Sequence, residues 1–212
     1  MIFICKEHPP ESFEKWKREN HREKFDALSK NQGVKRELID SLIAEQKGLC
    51  CYCCASVSRE NSHIEHVKPK SNSKYRNLRF SYTNLLASCN GYDDYGFTCG
   101  HNKHEWYDED LFISPLDEGC ESRLSYSLDG KIMGANRDDR GAAETISRLF
   151  IDSYELRNAR RAVIDSVLFG DKSIYDNLDR EIEMYKVADK DGRLTPFVNA
   201  IIFALEYLRA TE

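Results

Sequence analysis

Apolar positions recur at helical spacing near both ends of this chain and lose their rhythm in the middle. After Pro9 and Pro10, the stretch ESFEKWKRENHREKFDAL places Phe13, Trp16, Phe25 and Leu28 in a charged background, which predicts a helix with a narrow apolar stripe. Val34 to Gln46 predicts a second helix, with Leu38, Leu42 and Ile43 on one face and Gly48 as its stop. The opening MIFICK reads as a short strand. Between 108 and 140, LFISPL and SRLSYSLDGKIMG predict strands, the second stretch a hairpin turning at Asp129–Gly130. From Gly141 the helical rhythm returns in AAETISRLF. Asp152 and Glu155 are expected to cap the next helix, which closes at Gly170, and another covers roughly Ile174 to Val187. The last has Thr195 as cap, Pro196 in its first position, and Phe197, Ile201, Ala204, Leu205 and Leu208 along its core face.

The segment 49–107 is rich in Cys, His, Asn and Gly and has little periodicity. A piece with so little core of its own tends to be held by metal. The expected organisation is an N-terminal strand and helices over 1–48, a metal-stapled core over 49–107, a strand and hairpin segment over 108–140 and a helical region over 141–212. Together they form one compact, mainly helical α+β unit. With 41% hydrophobic and 32% charged residues among 212, the chain reads as soluble and able to bury a real core. No apolar run approaches the roughly 20 residues that span a bilayer, and no basic segment precedes MIFICK to make it a signal peptide. The expected compartment is a reducing cytoplasm, where clustered cysteines bind metal more often than they cross-link. The net charge of −5 argues against an indiscriminate nucleic-acid binder, so any basic surface is local or a partner supplies the grip.

Four of the eight cysteines surround one tyrosine in CCYCC, residues 50–54. Cys50 and Cys53 have the spacing that lets two thiolates reach one tetrahedral zinc, but so do Cys51 and Cys54, and spacing alone leaves the register open. Cys89 and Cys99 are the nearby candidates for a second pair, while Cys5 and Cys120 stand alone. Between the pairs lies HIEHVKPKS, in which Glu65 and His66 are adjacent and flanked by Lys68, Lys70, Lys74, Arg76 and Arg79. A carboxylate can hold a divalent cation while a neutral imidazole takes a proton from water. The plainer reading makes them polar loop residues. Asn84 follows in SYTNLLASC, five residues before Cys89.

Taken together, these residues resemble the HNH, or ββα-metal, endonucleases: Cys50 and Cys53, Glu65–His66, Asn84–Leu85, and Cys89 with Cys99-Gly-His-Asn-Lys103. Tyr52 before the second knuckle cysteine also fits, which favours the Cys50/Cys53 register. The resemblance implies a structural zinc on Cys50, Cys53, Cys89 and Cys99 that holds a two-strand hairpin against a helix. It implies His66 as general base, Glu65 as ligand of a catalytic magnesium or manganese ion, and Asn84 as the residue that orients the catalytic loop. Lys68, Lys70 and Lys103 are the expected substrate contacts.

Two departures stand out. Nine residues separate Cys89 from Cys99 where the family's pair is close-spaced, and the slot of the third catalytic-metal ligand is Gly100. His101 is the expected substitute, with His104 the next candidate. HIEHVKPKS, CGHNK, FISPL, DGKI and the helical tail further resemble PtuB, the HNH component of bacterial Septu antiphage systems, also found as a retron effector. That likeness implies a PtuA-like ABC-type ATPase as partner, a retron reverse transcriptase with its RNA or DNA as a further one, and a nucleic-acid substrate, DNA before RNA or transfer RNA. The rival expectation is a zinc-stapled module that binds nucleic acid or protein without cutting.

Overall fold

The computed structural model describes residues 1–93, 96–170, 174 and 177–211. Its fold is α+β, with seven helices and three two-stranded antiparallel sheets among those residues. No helix of the described chain is long and apolar enough to cross a membrane.

Residues 1–10 do not form the expected strand. Met1 and Ile4 are buried in the core, but the ladder contact is a single bond from the Ile4 N–H to the Pro115 carbonyl at 2.8 Å. Proline has no N–H to return, so the pairing cannot propagate. Helix α1 (Glu11–Glu19) buries Phe13 and Trp16 and stops earlier than its apolar stripe suggested. The Asn20 side chain donates to the Trp16 carbonyl at 2.9 Å, closing the helix, and Phe25–Lys30 continues as a 3-10 turn. Helix α2 (Gln32–Glu45) begins where the Asn31 side chain accepts from the Val34 N–H and buries Leu38, Ile39, Leu42 and Ile43.

Strands β1 (Ser62–His66) and β2 (Leu85–Cys89) pair antiparallel with His63 opposite Ser88, Glu65 opposite Leu86 and His66 opposite Leu85. Strands β3 (Tyr92–Asp93) and β4 (Gly96–Phe97) pair within the insertion between Cys89 and Cys99. Helix α3 (Cys99–Lys103) follows and packs on β2. Buried Gln46 stitches the cysteine knuckle to this sheet. Its amide donates to the Leu49 and Ala87 carbonyls, both at 2.8 Å, and accepts from the Ala87 N–H at 2.6 Å.

LFISPL is not a strand. Its polar backbone is satisfied by a helix side chain instead: buried Thr145 accepts from the Ile113 N–H at 2.8 Å and donates to the Leu111 carbonyl at 3.1 Å. The hairpin forms as expected from β5 (Leu124–Tyr126) and β6 (Ile132–Gly134). At its turn Gly130 has φ +82°, and a Cβ there would lie 2.2 Å from the Arg157 carbonyl oxygen.

Helix α4 (Arg140–Leu149) is capped by Asp139, and α5 (Tyr154–Phe169) by Ser153 rather than by Asp152. Asp152 is taken up elsewhere, accepting from the Ile132 N–H at 3.0 Å and pairing with Arg157 and Arg160. Part of the predicted Ile174–Val187 helix lies outside the described residues; its remainder is α6 (Leu178–Lys186), capped by Asn177. Helix α7 (Val198–Thr211) starts beyond Thr195 and Pro196, after a turn that puts Phe197 at φ +57° and its N–H on the Cys54 carbonyl. One core takes side chains from residue 1 through 151, a second is built from α5, α6 and α7, and Leu49, Cys54 and Val198 form a third, smaller cluster.

Candidate active site and metal centre

Cys50, Cys53, Cys89 and Cys99 converge, all four buried, with their sulfurs within 4.8 Å of one another. The Cys53 and Cys89 sulfurs are 3.7 Å apart. Four thiolates at about 2.3 Å from a tetrahedral ion would be separated by about 3.8 Å, so this spacing fits a metal centre. Backbone amides support it, with Cys89 N–H donating to the Cys50 sulfur at 3.3 Å and Ala55 N–H to that of Cys53 at 3.5 Å. Burial pushes the Cys50 thiol up, but hydrogen bonds from the neighbouring thiols outweigh it and hold Cys50 well below its usual range. The register is therefore Cys50/Cys53. Cys51 and Cys54 are buried outside the cluster, Cys54 against Leu49 and Val198.

Alternation along β1 sends His63 and Glu65 to one face and His66 to the other. Glu65 is buried, at 7% exposure, and its two oxygens have different partners. Oε1 accepts from the Lys103 ammonium at 2.9 Å and the Tyr52 hydroxyl at 3.2 Å. Oε2 lies 3.7 Å from His63 Nε2. Burial pushes the Glu65 carboxyl up, yet His63 and Lys103 hold it below its usual value. The same two neighbours therefore keep a buried carboxylate charged.

His66 sits at the end of β1 with its ring edge-on to Phe25, centroids 4.4 Å apart. Its Nε2 is 3.0 Å from the Arg79 carbonyl oxygen. A carbonyl can only accept, so Nε2 carries the proton and Nδ1 keeps its lone pair. Burial lowers the ring to about 4, which leaves it neutral at physiological pH. Asn84 ties the following loop down: Oδ1 accepts from Lys68 N–H at 2.8 Å, while Nδ2 donates to the Lys68 and Leu78 carbonyls at 3.0 and 3.3 Å.

The remaining candidates are distributed less simply. His101 lies against His63 with ring centroids 4.1 Å apart and planes tilted by 34°, and faces Asn90 Oδ1 through Nε2 at 3.2 Å; no hydrogen bond or ion pair joins it to Glu65. His104 is exposed at the end of α3, with φ +50°. Lys68 lies over the Tyr75 and Tyr107 rings, and Lys70 is ion-paired to Asp26, both near the protein surface. Lys103, read from sequence as a substrate contact, is instead wholly buried, with its ammonium on Glu65 and on the His66 carbonyl at 3.0 Å. Sequence reasoning also passed over His63, Asn90 and the Tyr52 hydroxyl. The available signal for His63 was its position two residues before Glu65 on a strand, which puts both on one face.

The arrangement pairs a cysteine cluster with a separate carboxylate–imidazole site one strand away. Comparison gives that combination its class: the chain belongs to the HNH endonuclease family. The relative that establishes this is a retron Vc95 HNH endonuclease of Vibrio cholerae serotype O1 biovar El Tor, its activity given there as inferred. The two are 34% identical over 143 residues, covering 65% of this chain and 68% of the relative. No protein-family profile matches the chain.

Proposed function

We propose that this protein is a divalent-metal-dependent endonuclease that hydrolyses phosphodiester bonds, with the Glu65–His66 pair at the cut. The observation that carries the reading is the state of His66. A neutral ring, with Nε2–H engaged by the Arg79 carbonyl, offers Nδ1 as a proton acceptor on the residue next in sequence to a carboxylate that is kept charged. Strands β1 and β2 with helix α3 supply the ββα frame, and a structural zinc on Cys50, Cys53, Cys89 and Cys99 joins the knuckle to it. Such a site contributes folding energy directly.

In this reading Nδ1 of His66 takes a proton from the attacking water. Asn84 fixes the loop that begins at Val67, whose N–H also donates to the Asn84 carbonyl at 3.0 Å. Glu65 would hold a catalytic magnesium or manganese ion, with Oε2 the oxygen left for it, since Oε1 is already committed to Lys103 and Tyr52. When bound, that ion neutralises charge on the scissile phosphate and the leaving oxygen. Lys68 and Lys70 lie on the loop beyond His66, where they can meet phosphate. None of these groups requires a 2′-hydroxyl, so the chemistry is open to DNA, which the resemblance to HNH endonucleases makes the first choice.

The chain's acidic balance supports a partner that supplies recognition. A PtuA-like ATPase fills that role in a Septu-type defence complex, and the name of the Vibrio relative adds a retron as the setting. Zinc-loaded protein incubated with duplex DNA, single-stranded DNA and transfer RNA, with and without magnesium or manganese, tests the activity. The reading expects cutting only with added divalent ion and on DNA. Metal-independent cutting contradicts the proposed chemistry, and cutting of transfer RNA alone reassigns the substrate. Purification from the native host tests for the ATPase.

A further inference from the structure

The geometry points to His63 as the imidazole ligand of the divalent ion at Glu65, presented from β1, with Asn90 as the positioning residue that sets its tautomer. The inference rests on the nuclease reading and deepens it. Its starting point is Gly100, which occupies the slot of the family's third ligand. A Cβ at that position would lie 2.7 Å from both Glu65 Oε2 and His63 Nε2. The space beside the carboxylate is therefore taken by an imidazole that arrives from the strand, and a side chain at Gly100 would have to push that ring or the carboxylate aside.

Two further observations agree. His63 Nε2 and Glu65 Oε2 face each other at 3.7 Å. Two ligand atoms that each sit ~2.1 Å from one ion can be at most about 4.2 Å apart, so both can reach it. Asn90 Oδ1 accepts from His63 Nδ1 at 2.9 Å. With Nδ1–H held by Asn90, Nε2, the atom aimed at Glu65, is the nitrogen that would exchange its proton for an ion, as in histidine ligands oriented through their other ring nitrogen. His101 donates to the same Asn90 oxygen and packs, tilted, against the His63 ring. It supports the ligand.

Manganese binding to the zinc-loaded protein, followed by electron paramagnetic resonance, tests this apart from any cleavage assay. His63→Ala is expected to weaken binding at least about tenfold and His101→Ala by less than about threefold. Asn90→Leu is expected to cost about 10–100-fold, with Asn90→Asp restoring affinity because it keeps the acceptor oxygen. Adding Gly100→His to His63→Ala should recover part of the binding, since the contact with His63 is gone, only the Glu65 carboxylate end has to shift, and the helix position can ligate. Zinc content and melting temperature, measured on each variant, establish that the fold is intact. Wild-type affinity in His63→Ala, or a larger loss in His101→Ala, overturns the assignment and leaves the nuclease reading standing. A wild-type protein without any manganese site overturns both.

Discussion

Replacing Lys103 with methionine isolates the electrostatics under the site. The side chains are similar in volume, so the change removes a charge without opening much of a cavity. Lys103 is 0% exposed and Glu65 is 9% exposed at the side chain, and their contact is 2.9 Å. Breaking such a pair from one side leaves a buried charge uncompensated, at about 3–5 kcal/mol. The His66 carbonyl also loses its lysine donor. For a chain of this length that loss corresponds to a melting temperature lower by roughly 6–20 °C. Urea unfolding of Lys103→Met at neutral pH, with structural zinc retained, measures it. Manganese should recover part of the loss, because a cation at Oε2 restores positive charge beside Glu65. A loss under about 1 kcal/mol, the size of an exposed pair, together with no response to manganese, refutes the account of Glu65 as a charged group held by Lys103.

Other residues carry shorter predictions. Cys50→Ser or Cys89→Ser should abolish zinc binding and soluble protein, whereas Cys51→Ser and Cys54→Ser keep one metal per chain in elemental analysis; the opposite pattern contradicts the register. Arg160→Met should cost about 3 kcal/mol or more in denaturant unfolding, because the buried guanidinium serves the Gly130 and Ile151 carbonyls and the Asp152 carboxylate. A change within experimental error would show those acceptors to be satisfied otherwise. Asp139, held by Arg123 and by its capping bond to Ala142, has its carboxyl lowered from 3.8 to about 2. A depressed carboxyl stabilises the fold above its unfolded value, and that contribution is lost as pH falls from about 4 to about 2. After solvent screening it is worth roughly 1–2 kcal/mol, so Asp139→Asn should flatten the acid limb of the stability curve. An unchanged limb would place the acid sensitivity elsewhere.

Periodicity was a good guide to α2, because it buries the Leu38, Leu42 and Ile43 stripe that the sequence spells at helical spacing. The cysteine cluster was legible for a different reason: thiolates at knuckle spacing have few uses other than metal, and a tyrosine separated the two registers. What escaped was decided by tertiary partners. MIFICK has the composition of a strand, but its neighbour is a proline. Asp152 has the chemistry of a cap, but Arg157 and Arg160 claim it and leave the role to Ser153. Lys103 reads as a surface cation because lysines are almost never buried unless paired; its pairing with Glu65 is a contact across 38 positions. With Gly100 vacant, the sequence offers His101 and His104 as the next imidazoles along the chain; that His63 shares a face with Glu65 is visible only once β1 is known to be a strand.

The most direct test of the central claim is the rate at which wild-type and His66→Ala protein cut linear duplex DNA in magnesium or manganese, with zinc measured in both. The account predicts equal zinc and a rate lower by roughly 10²–10⁴-fold in the variant, the contribution of a positioned general base. Equal cutting rates at equal zinc would contradict it and remove His66 from the chemistry.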